Sequence, residues 1–574
     1  MTSAAKSPAD ALQELARTQA SFVERLLRDA PVPLTGDINA LVRIFASADA
    51  EQLEKLRSIE ETFYREHLAL LSGLIAPGTA GDAAAPTSDA RFEAPEWGLP
   101  FFQYVRQAYE LNAKFLRELG ELADLDPQAK RRLSYQVRQL TDALSPANYA
   151  ATNPEVIKRA ARTGGESLAQ GMKLLSADIA RGRISMTDEQ AFEVGRNLAV
   201  TPGAVVMENE VMQLIQYAPS TPEVFERPLL IVPPFINKYY ILDLQPDNSF
   251  VRFCVAQGFS TFIVSWRNTP PELGSLGWGD YIEKGVLAPM RAVQEICGAD
   301  ELNTLGFCVG GTLLASALAV MAARDENSVA SLTLLATLLD FSETGDISVY
   351  VDREFVERNE REFAQAGSMS GTKLASTFAM LRANDLIWRF VIDNYLKGQS
   401  PRAFDLLFWN ADGANLPGKL YAYYLRNMYL ENNLKIPGRL EACGVPLDLG
   451  EIDVPAFVVA ARDDHIVPWK SAYASAALLG SRSEIVLAAS GHVAGIVNPA
   501  SKNRRHFWIN DSTEQDADVW LANAVQHAGS WWTHWAQWLA TRSGALVPAS
   551  ATPGSADYPV IEAAPGRYVK EKSA

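Results

Sequence analysis

Short apolar runs alternate with helical segments after about residue 200, and this alternation is the feature that most constrains the fold. The runs are rich in β-branched residues and are each followed by a segment of helical pattern. Near-continuous apolar strands alternating with helices are typical of a parallel sheet that is covered on both faces. The sequence therefore predicts an α/β domain over residues 196–574. The runs are RPLLIVPPFIN, GFSTFIVSWRN, LNTLGFC, VASLTLLATLLDF, VPAFVVAARDD and SEIVLAASGH.

Three other regions surround or interrupt this pattern. Residues 1–195 show helical periodicity and predict a helical N-terminal domain, within which the Ala/Pro/Gly/Ser-rich stretch 76–90 predicts a flexible linker. Residues 341–448 are helical and aromatic, and they lie between two predicted core strands, where we expect an inserted cap or lid. The Pro/Ala-rich tail from 545 is predicted to be poorly ordered.

A cysteine lies in a glycine-flanked turn at the end of one apolar run. The frame is Gly306-Phe307-Cys308-Val309-Gly310, with the strand TLGF before it and the helix TLLASALAVMAA after it. This is the G-x-S-x-G nucleophile elbow of the α/β-hydrolase fold, with cysteine in place of serine. Gly306 and Gly310 leave room for a backbone that a Cβ atom would crowd. The sequence predicts Cys308 as the nucleophile.

A nucleophilic thiol needs a base, and the base needs an orienting acid, in the chain order nucleophile, acid, histidine. His492 follows the last apolar run among small residues, on a loop that could reach the elbow, and is the predicted base. The acid is expected at the end of the preceding strand, which offers Asp463 and Asp464. The frame Asp, two residues, Val, Pro selects Asp464, and leaves Asp463 as a solvated neighbour.

Other histidines are assigned to packing or to the surface. Five of the six histidines follow Cys308. His506 and His534 have aromatic or basic surroundings, and His465 beside the predicted acid is interpreted as a loop-packing residue.

The oxyanion hole is expected to use the backbone N–H of Val309 and one N–H from the loop after the first core strand. In that loop Pro233 and Pro234 have no N–H to donate. Phe235 or Ile236 is therefore the second donor, and Ile236 is the prediction.

Composition excludes several classes of function. A net charge of −16 argues against binding nucleic acid through phosphates. Four cysteines in 574 residues do not make a disulfide framework, and no His/Cys spacing predicts a metal site. Neither a signal peptide nor an apolar run long enough to span a membrane is found, so we expect a cytoplasmic protein.

With Cys308, Asp464 and His492 placed, the sequence resembles the class I polyhydroxyalkanoate synthases from about residue 92 onwards. The resemblance includes the blocks PPFINKYYILDLQPDNSFVRF, GFCVGGT, WNADGANLPG, ARDDHIVPW, ATNPE, GGESL and DEQAFEVGRNLAVTPGAVV. It implies polymerisation of short-chain (R)-3-hydroxyacyl-CoA, such as 3-hydroxybutyryl-CoA, into polyester with release of coenzyme A. It also implies a homodimer on cytoplasmic polymer granules with their associated proteins, and no cofactor, since the CoA thioester is the substrate.

Two alternatives to a polymerase stay open at this point. A cysteine-dependent thioesterase or lactone hydrolase would use the same three residues with water as acceptor. A catalytically inactive granule-coat protein would use none of them.

Tryptophans recur in the final predicted helix and in one block of the predicted cap. Trp531, Trp535 and Trp538 recur at helical spacing and predict a core face of the final helix, with a polymer-binding surface as the alternative. Trp409, Asp412 and Asn415 in the block FWNADGANLP, which is part of the resemblance, are expected to help order the cap near the site, and their spacing predicts no charge-relay role.

Overall fold

The structure is a computed structural model that describes residues 17–18, 49–75, 89–512 and 516–573. These residues divide into two compact units. The N-terminal unit contains the described residues up to Asp188 together with Ser376–Ala403, and the catalytic unit contains Glu189–Ala375 and the described residues from Phe404 onwards. Most of the predicted linker 76–90 lies outside the described residues.

The strands are short, and those of the main sheet carry the apolar runs seen in the sequence. They are β1 Gly203–Glu208, β2 Met212–Tyr217, β3 Glu223–Phe225, β4 Leu229–Val232, β5 Thr261–Trp266, β6 Leu302–Phe307, β7 Val329–Leu335, β8 Ser368–Met369, β9 Leu416–Pro417, β10 Glu441–Ala442, β11 Val445–Pro446, β12 Ala456–Ala461, β13 Ser483–Ala488, β14 His506–Ile509, β15 Val525–Ala528, β16 Leu546–Pro548 and β17 Glu562–Ala563.

Within the described residues, one mixed sheet of 11 strands forms the centre of the catalytic unit, in the order β15-β14-β13-β12-β7-β6-β4-β5-β2-β1-β17. The strands from β13 to β5 along this order are parallel to their neighbours, and the outer strands are antiparallel. In register, Val232 of β4 pairs with Gly306 of β6, and Phe307 of β6 pairs with Leu335 of β7. The parallel sheet predicted from the apolar runs is confirmed.

The helices connect the strands or form the N-terminal unit. They are α1 Ala50–Ile75, α2 Pro100–Leu122, α3 Pro127–Ala143, α4 Pro154–Arg162, α5 Glu166–Arg181, α6 Phe250–Ala256, α7 Trp278–Ile282, α8 Ala288–Cys297, α9 Val309–Ala323, α10 Arg353–Ala366, α11 Gly371–Leu381, α12 Asp405–Ala411, α13 Gly418–Tyr424, α14 Trp469–Ala476, α15 His492–Ile496, α16 Ala517–Ala522 and α17 Trp531–Ala540. The described residues also contain π-helical segments at Glu283–Leu287, Asn384–Trp388, Val391–Leu396 and Leu425–Leu430.

Helix starts in the N-terminal unit follow local sequence signals. Asp126 accepts hydrogen bonds from the N–H groups of Gln128 and Ala129, and Pro127 occupies the first position of α3. The first N–H groups of a helix have no acceptor within the helix. A side chain that accepts hydrogen bonds from them, followed by a proline that has no N–H, is therefore a strong signal for a helix start. The helical N-terminal region predicted from the sequence is present.

The tryptophans of the final helix are part of the core. Trp531 and Trp535 are 0% exposed and Trp538 is 8% exposed. The ring of Trp535 lies 5.0 Å from that of Phe250 on α6. The prediction of a core face is confirmed, and the alternative of a polymer-binding surface is excluded because the rings are covered.

The predicted cap 341–448 lies between β7 and β12. Most of it, including α12 and α13, groups with the catalytic unit, whereas Ser376–Ala403 groups with the N-terminal unit. Periodicity along the sequence carries no information about this division, because it reports which residues are apolar and not which core they join.

The tail differs from its prediction. Instead of being poorly ordered, residues from 545 onwards contribute β16, which pairs with β3, and β17, which extends the main sheet beside β1. Tyr568 and Val569 beyond β17 are 5% and 1% exposed. A Pro/Ala-rich composition predicted disorder, but an unpaired sheet edge offers backbone hydrogen bonds that order such a segment.

Candidate active site

The predicted nucleophile lies at a strained turn between β6 and α9. Cys308 has φ 52° and ψ −128°, a conformation that is costly for a residue with a side chain and is found mainly where the surrounding structure enforces it. Its N–H donates to the carbonyl of Leu335 on β7 at 2.9 Å. The hydroxyl of Thr337 donates to the Cys308 carbonyl at 3.3 Å. These bonds hold the turn, and the cysteine is 9% exposed.

The glycines of the elbow are required by close backbone approaches. A Cβ atom at Gly306 would lie 2.4 Å from the Cα of Gly311, and one at Gly310 would lie 2.4 Å from the carbonyl oxygen of Val232. The prediction that both positions need glycine is confirmed. Gly311, which the sequence reasoning did not single out, is equally constrained, since a Cβ there would lie 2.1 Å from the Thr337 hydroxyl.

The structure brings His492 and Asp464 together. The Nδ1 atom of His492 lies 2.6 Å from Oδ2 of Asp464. The other carboxylate oxygen of Asp464 accepts from the N–H groups of Ile466 and Val467, both at 2.9 Å. Asp464 is buried at the end of β12, whereas Asp463 is exposed. Because its carboxylate is oriented by two backbone donors, Asp464 is the acid that the geometry favours.

The electrostatics of His492 link it to both predicted partners. Burial has the largest single effect and lowers the pKa of His492, but the charges of Asp464 and Cys308 and hydrogen bonds to both raise it, and the net pKa is well above the ordinary value. Since Nδ1 is occupied by Asp464, Nε2 is the ring nitrogen available to the thiol. The ring of Phe307 stacks on the imidazole at 5.5 Å. Both partners therefore stabilise the positive charge that the imidazole of His492 acquires when it accepts a proton.

The loop after β4 is firmly placed beside the elbow. The indole N–H of Trp266 donates to the carbonyl of Pro233 at 2.8 Å. Phe235 is 1% exposed, and its ring packs edge-on against Tyr281 at 5.5 Å. Val309 is the first residue of α9, so its N–H has no acceptor within the helix. The pairing of this N–H with that of Ile236 in an oxyanion hole stays a prediction.

Two tyrosines of the cap were missed by the sequence reasoning. Burial raises the pKa values of Tyr424 and Tyr429 well above the usual value, and the charge of Cys308 raises both further. Their rings lie 5.2 Å apart, edge to face. The motif YAYYLRNMY contains four tyrosines, and nothing in its spacing indicates which of them face the elbow.

The remaining histidines that follow Cys308 have other partners. His534 Nε2 lies 2.6 Å from Glu484 Oε1, and the ring of His506 packs against Trp508 at 4.6 Å. The ring of His527 stacks on Phe507 at 5.4 Å. The carbonyl of His465 accepts from Asp346 N–H at 3.1 Å. These contacts agree with the packing and surface roles predicted for His465, His506 and His534.

Comparison with known proteins identifies the family. A family model described as "Poly-beta-hydroxybutyrate polymerase (PhaC) N-terminus" matches residues 88–254. A model described as "alpha/beta hydrolase fold" matches residues 228–499. The poly(3-hydroxyalkanoate) polymerase subunit PhaC of Cupriavidus necator is 49% identical over 526 residues, which cover 90% of this chain and 89% of that protein. The chain belongs to the poly(3-hydroxyalkanoate) polymerase family.

Other relatives of the polymerase carry the same family name. The poly(3-hydroxyalkanoate) polymerase of Methylorubrum extorquens is 37% identical, with 98% of this chain and 91% of that protein covered. Poly(3-hydroxyalkanoate) polymerase 1 of Ectopseudomonas oleovorans is 39% identical, with 85% and 88% covered. The identification as a class I polyhydroxyalkanoate synthase of the α/β-hydrolase superfamily is confirmed. The polymerase is an acyltransferase that joins hydroxyalkanoate units into polyester.

The solved structures that resemble the polymerase share little sequence with it. A monoacylglycerol lipase from Paleococcus ferrophilus has a TM-score of 0.33 at 11% identity, and the match covers 59% of this chain and all of the lipase. An esterase from Exiguobacterium antarcticum has a TM-score of 0.29 at 14% identity, over 51% of this chain and 92% of the esterase.

Among the described residues, no group of three or more His, Cys, Asp or Glu side chains could hold a metal ion. No helix in the described part of the chain has both the length and the apolar character needed to cross a membrane.

Proposed function

We propose that the polymerase uses Cys308 to carry each acyl group as a thioester, with His492 as base and Asp464 as its orienting acid. The observation that carries the proposal is the 2.6 Å contact between His492 Nδ1 and Asp464, which leaves Nε2 as the ring nitrogen available to the thiol of the strained elbow. The geometry is that of a nucleophile, base and acid acting in series. Family membership supplies the overall reaction, and these residues supply the chemistry.

In the first transfer, Nε2 of His492 takes the proton from the Cys308 thiol. The thiolate attacks the carbonyl carbon of the acyl-CoA, and the N–H groups of Val309 and Ile236 stabilise the tetrahedral oxyanion. The bond between that carbon and the sulfur of coenzyme A then breaks. His492 returns the proton to the departing thiolate, which leaves as coenzyme A.

In the second transfer, the 3-hydroxyl of another hydroxyacyl unit attacks the acyl thioester on Cys308. Its proton passes to His492, an ester bond forms and the bond to the Cys308 sulfur breaks. The imidazolium then reprotonates the thiolate. Asp464 supports both steps, because its carboxylate stabilises the positive charge that develops on His492.

Sulfur suits this sequence of transfers better than oxygen. Exchange of one thioester for another changes the free energy little, so the acyl group stays activated on Cys308. A serine would hold it as an oxoester, which is about level with the polymer bond, and elongation would lose its driving force. Cysteine is also the stronger nucleophile at neutral pH, because a few per cent of a free thiol is ionised there and sulfur is intrinsically very nucleophilic.

Water competes with the hydroxyl group of the acceptor for the acyl thioester. We propose that burial of the site limits this hydrolysis. Cys308 is 9% exposed and Tyr424 of the cap is 7% exposed. A closed, dry site suppresses hydrolysis of the thioester. The cap residues must move to admit the substrate.

We propose short-chain substrates, such as (R)-3-hydroxybutyryl-CoA. The support is the resemblance to class I enzymes, together with the bulky Phe307 and Val309 on either side of Cys308. We also propose that the polymerase acts as a homodimer on cytoplasmic polymer granules with their associated proteins, again on the basis of the class I resemblance.

Release of coenzyme A from purified protein, measured across acyl chain lengths with the products recovered, tests this function. We expect insoluble polyester from (R)-3-hydroxybutyryl-CoA and a falling rate with longer chains. Accumulation of free 3-hydroxybutyrate would instead indicate the thioesterase alternative. Absence of coenzyme A release with every chain length would favour the inactive granule-coat protein.

A further inference from the structure

The C-terminal segment 562–572, here called the strap, reaches the active-site side of the catalytic unit. It begins as β17 at the edge of the main sheet and is anchored by Tyr568, whose hydroxyl donates to the Asn209 carbonyl at 3.0 Å. Val569 is 1% exposed and belongs to the main core. After these anchors, Glu571 and Lys572 contact two other segments. We call residues 233–238 after β4 the oxyanion loop, and residues 409–415 the cap turn.

The first connection joins the strap to the oxyanion loop through a buried lysine. Lys238 is 3% exposed, and its ammonium donates to the carbonyl of Glu571 at 2.7 Å. Burial lowers the pKa of Lys238, while the charge of Asp412 opposes that shift. A buried ammonium is costly unless it is hydrogen-bonded. The strap carbonyl therefore fixes the position of Lys238, two residues after the predicted donor Ile236.

The second connection joins the strap to the cap turn through a buried carboxylate. Oδ1 of Asp412 accepts from the ammonium of Lys572 at 2.9 Å, and Oδ2 accepts from the Tyr240 hydroxyl at 2.9 Å. The Asp412 side chain is 4% exposed, whereas that of Lys572 is 64% exposed. The exposed ammonium of Lys572 thus pairs with the buried carboxylate of Asp412.

The oxyanion loop and the cap turn also contact each other directly. The indole N–H of Trp409 donates to the carbonyl of Lys238 at 2.7 Å. Asn237 and Gly413 form an isolated antiparallel bridge. These contacts make the position of one segment depend on the position of the other.

Asn268, after β5, completes the arrangement. Its side-chain amide donates to the carbonyl of Lys572 at 2.7 Å, and its side-chain oxygen accepts from the N–H of Asn415 at 2.8 Å. The strap is therefore bound at successive residues to three segments that come from distant parts of the chain.

We propose that Glu571 and Lys572 of the strap position the oxyanion loop against the cap turn, so that Lys572 and Asp412 act as positioning residues for the polymerase reaction. The inference rests on the proposed function, because it assigns the second oxyanion donor to this loop. Oxyanion donors are effective only when they are held in place before charge develops on the substrate, and small displacements near the reacting atoms lower rates strongly. A strap that acts on the loop should change turnover more than substrate binding.

The test compares Lys572→Met with wild-type enzyme in coenzyme A release and in hydrogen–deuterium exchange. We expect kcat to fall about three- to tenfold with KM within about twofold, since a mostly exposed cation contributes modestly even to a buried partner. We also expect faster exchange in peptides that cover residues 233–238 and 409–415. Lys572→Arg, which keeps the charge, should restore at least half of the wild-type kcat.

Lys570→Met is the matched control. Lys570 lies two residues earlier on the same segment, with its ammonium beside Gly195 and not beside the cap turn, so its removal should leave kcat and exchange unchanged. Unchanged exchange in both peptides of the Lys572→Met variant would overturn the proposal, as would equal effects of the two substitutions. Failure of the proposed function gives a different result, namely wild-type protein that releases no coenzyme A while the exchange difference between the variants persists.

Discussion

At the scale of single residues, the site depends on one thiol whose surroundings differ from those of the other cysteines. Cys308 lies beside an imidazole with a raised pKa, whereas burial raises the pKa of the Cys297 thiol to about 12. A thiol of such high pKa carries almost no thiolate at neutral pH and is a poor nucleophile. The contrast between these two cysteines makes the assignment of the nucleophile testable.

Cys308→Ala should abolish coenzyme A release, because it removes the thiol that we propose accepts the acyl group. Cys308→Ser should leave a very slow enzyme, since the alkoxide is harder to generate and the oxoester is a poor acyl donor. Coenzyme A release measures both, and thermal midpoints within about 1 °C of wild type would show that the fold is retained. Cys297→Ala is the control and should keep wild-type turnover. Normal turnover by Cys308→Ala would mean that the nucleophile is wrongly assigned.

Asp464→Asn should change both activity and the pH dependence of stability. We expect kcat to fall about 10³- to 10⁴-fold, as for loss of the acid in other catalytic triads. The pKa of His492 is raised in the folded enzyme, so its stabilising contribution is present below the unfolded value of about 6.5 and is lost as the pH rises through the raised folded pKa. The thermal midpoint of Asp464→Asn should therefore fall further below wild type at pH 6 than at pH 9.

The matched control for that variant is the exposed neighbour, Asp463→Asn. It should keep wild-type kcat and show the same thermal midpoint as wild type at both pH values. An equal loss of activity in both variants would contradict the assignment of Asp464 as the orienting acid.

At the scale of elements, the proposed nucleophile lies between β6 and α9, whose backbones approach each other too closely for a side chain at Gly306. β6 is buried along its whole length, and α9 is buried on almost every face. Neither element can move aside to admit an extra atom at the elbow, because close-packed cores resist added volume. The elbow is therefore sensitive to substitutions that add only a methyl group.

Gly310→Ala should lower kcat by about 10²-fold or more, because the new Cβ atom would lie 2.4 Å from the carbonyl oxygen of Val232 and 2.5 Å from that of Pro233. Relief of this clash must displace either the start of α9 or the oxyanion loop. Gly120→Ala in α2 is the control, since a Cβ atom there meets nothing within 4 Å. It should leave turnover unchanged. Wild-type activity in Gly310→Ala would show that the elbow tolerates the displacement.

At the scale of the whole molecule, the catalytic unit includes the chain almost to its C-terminal end. The tail adds a strand to the main sheet, buries Tyr568 and Val569 and contacts the segments around the elbow. It therefore contributes to stability as part of the core, in addition to the positioning role that we infer for Glu571 and Lys572.

Val569→Asp should lower the thermal midpoint by about 5 °C or more, because it places a carboxylate in the main core without a partner. Val560→Asp, at a position in the same tail that is 50% exposed, should leave the midpoint unchanged. Thermal unfolding of both variants measures the difference. Equal midpoints would mean that the tail is not part of the cooperative core.

The sequence by itself determined the parallel sheet and the glycine-flanked elbow, and it led us to propose Asp464 rather than Asp463 as the acid. These features are local, because each depends on the backbone conformation or periodicity of a few consecutive residues. Only the tertiary structure decided which tyrosines of the cap have pKa values that the charge of Cys308 raises, which core receives Ser376–Ala403 and where the tail is bound. Such contacts join residues hundreds of positions apart, and they follow from strand order and from unpaired edges, which no short segment of sequence encodes.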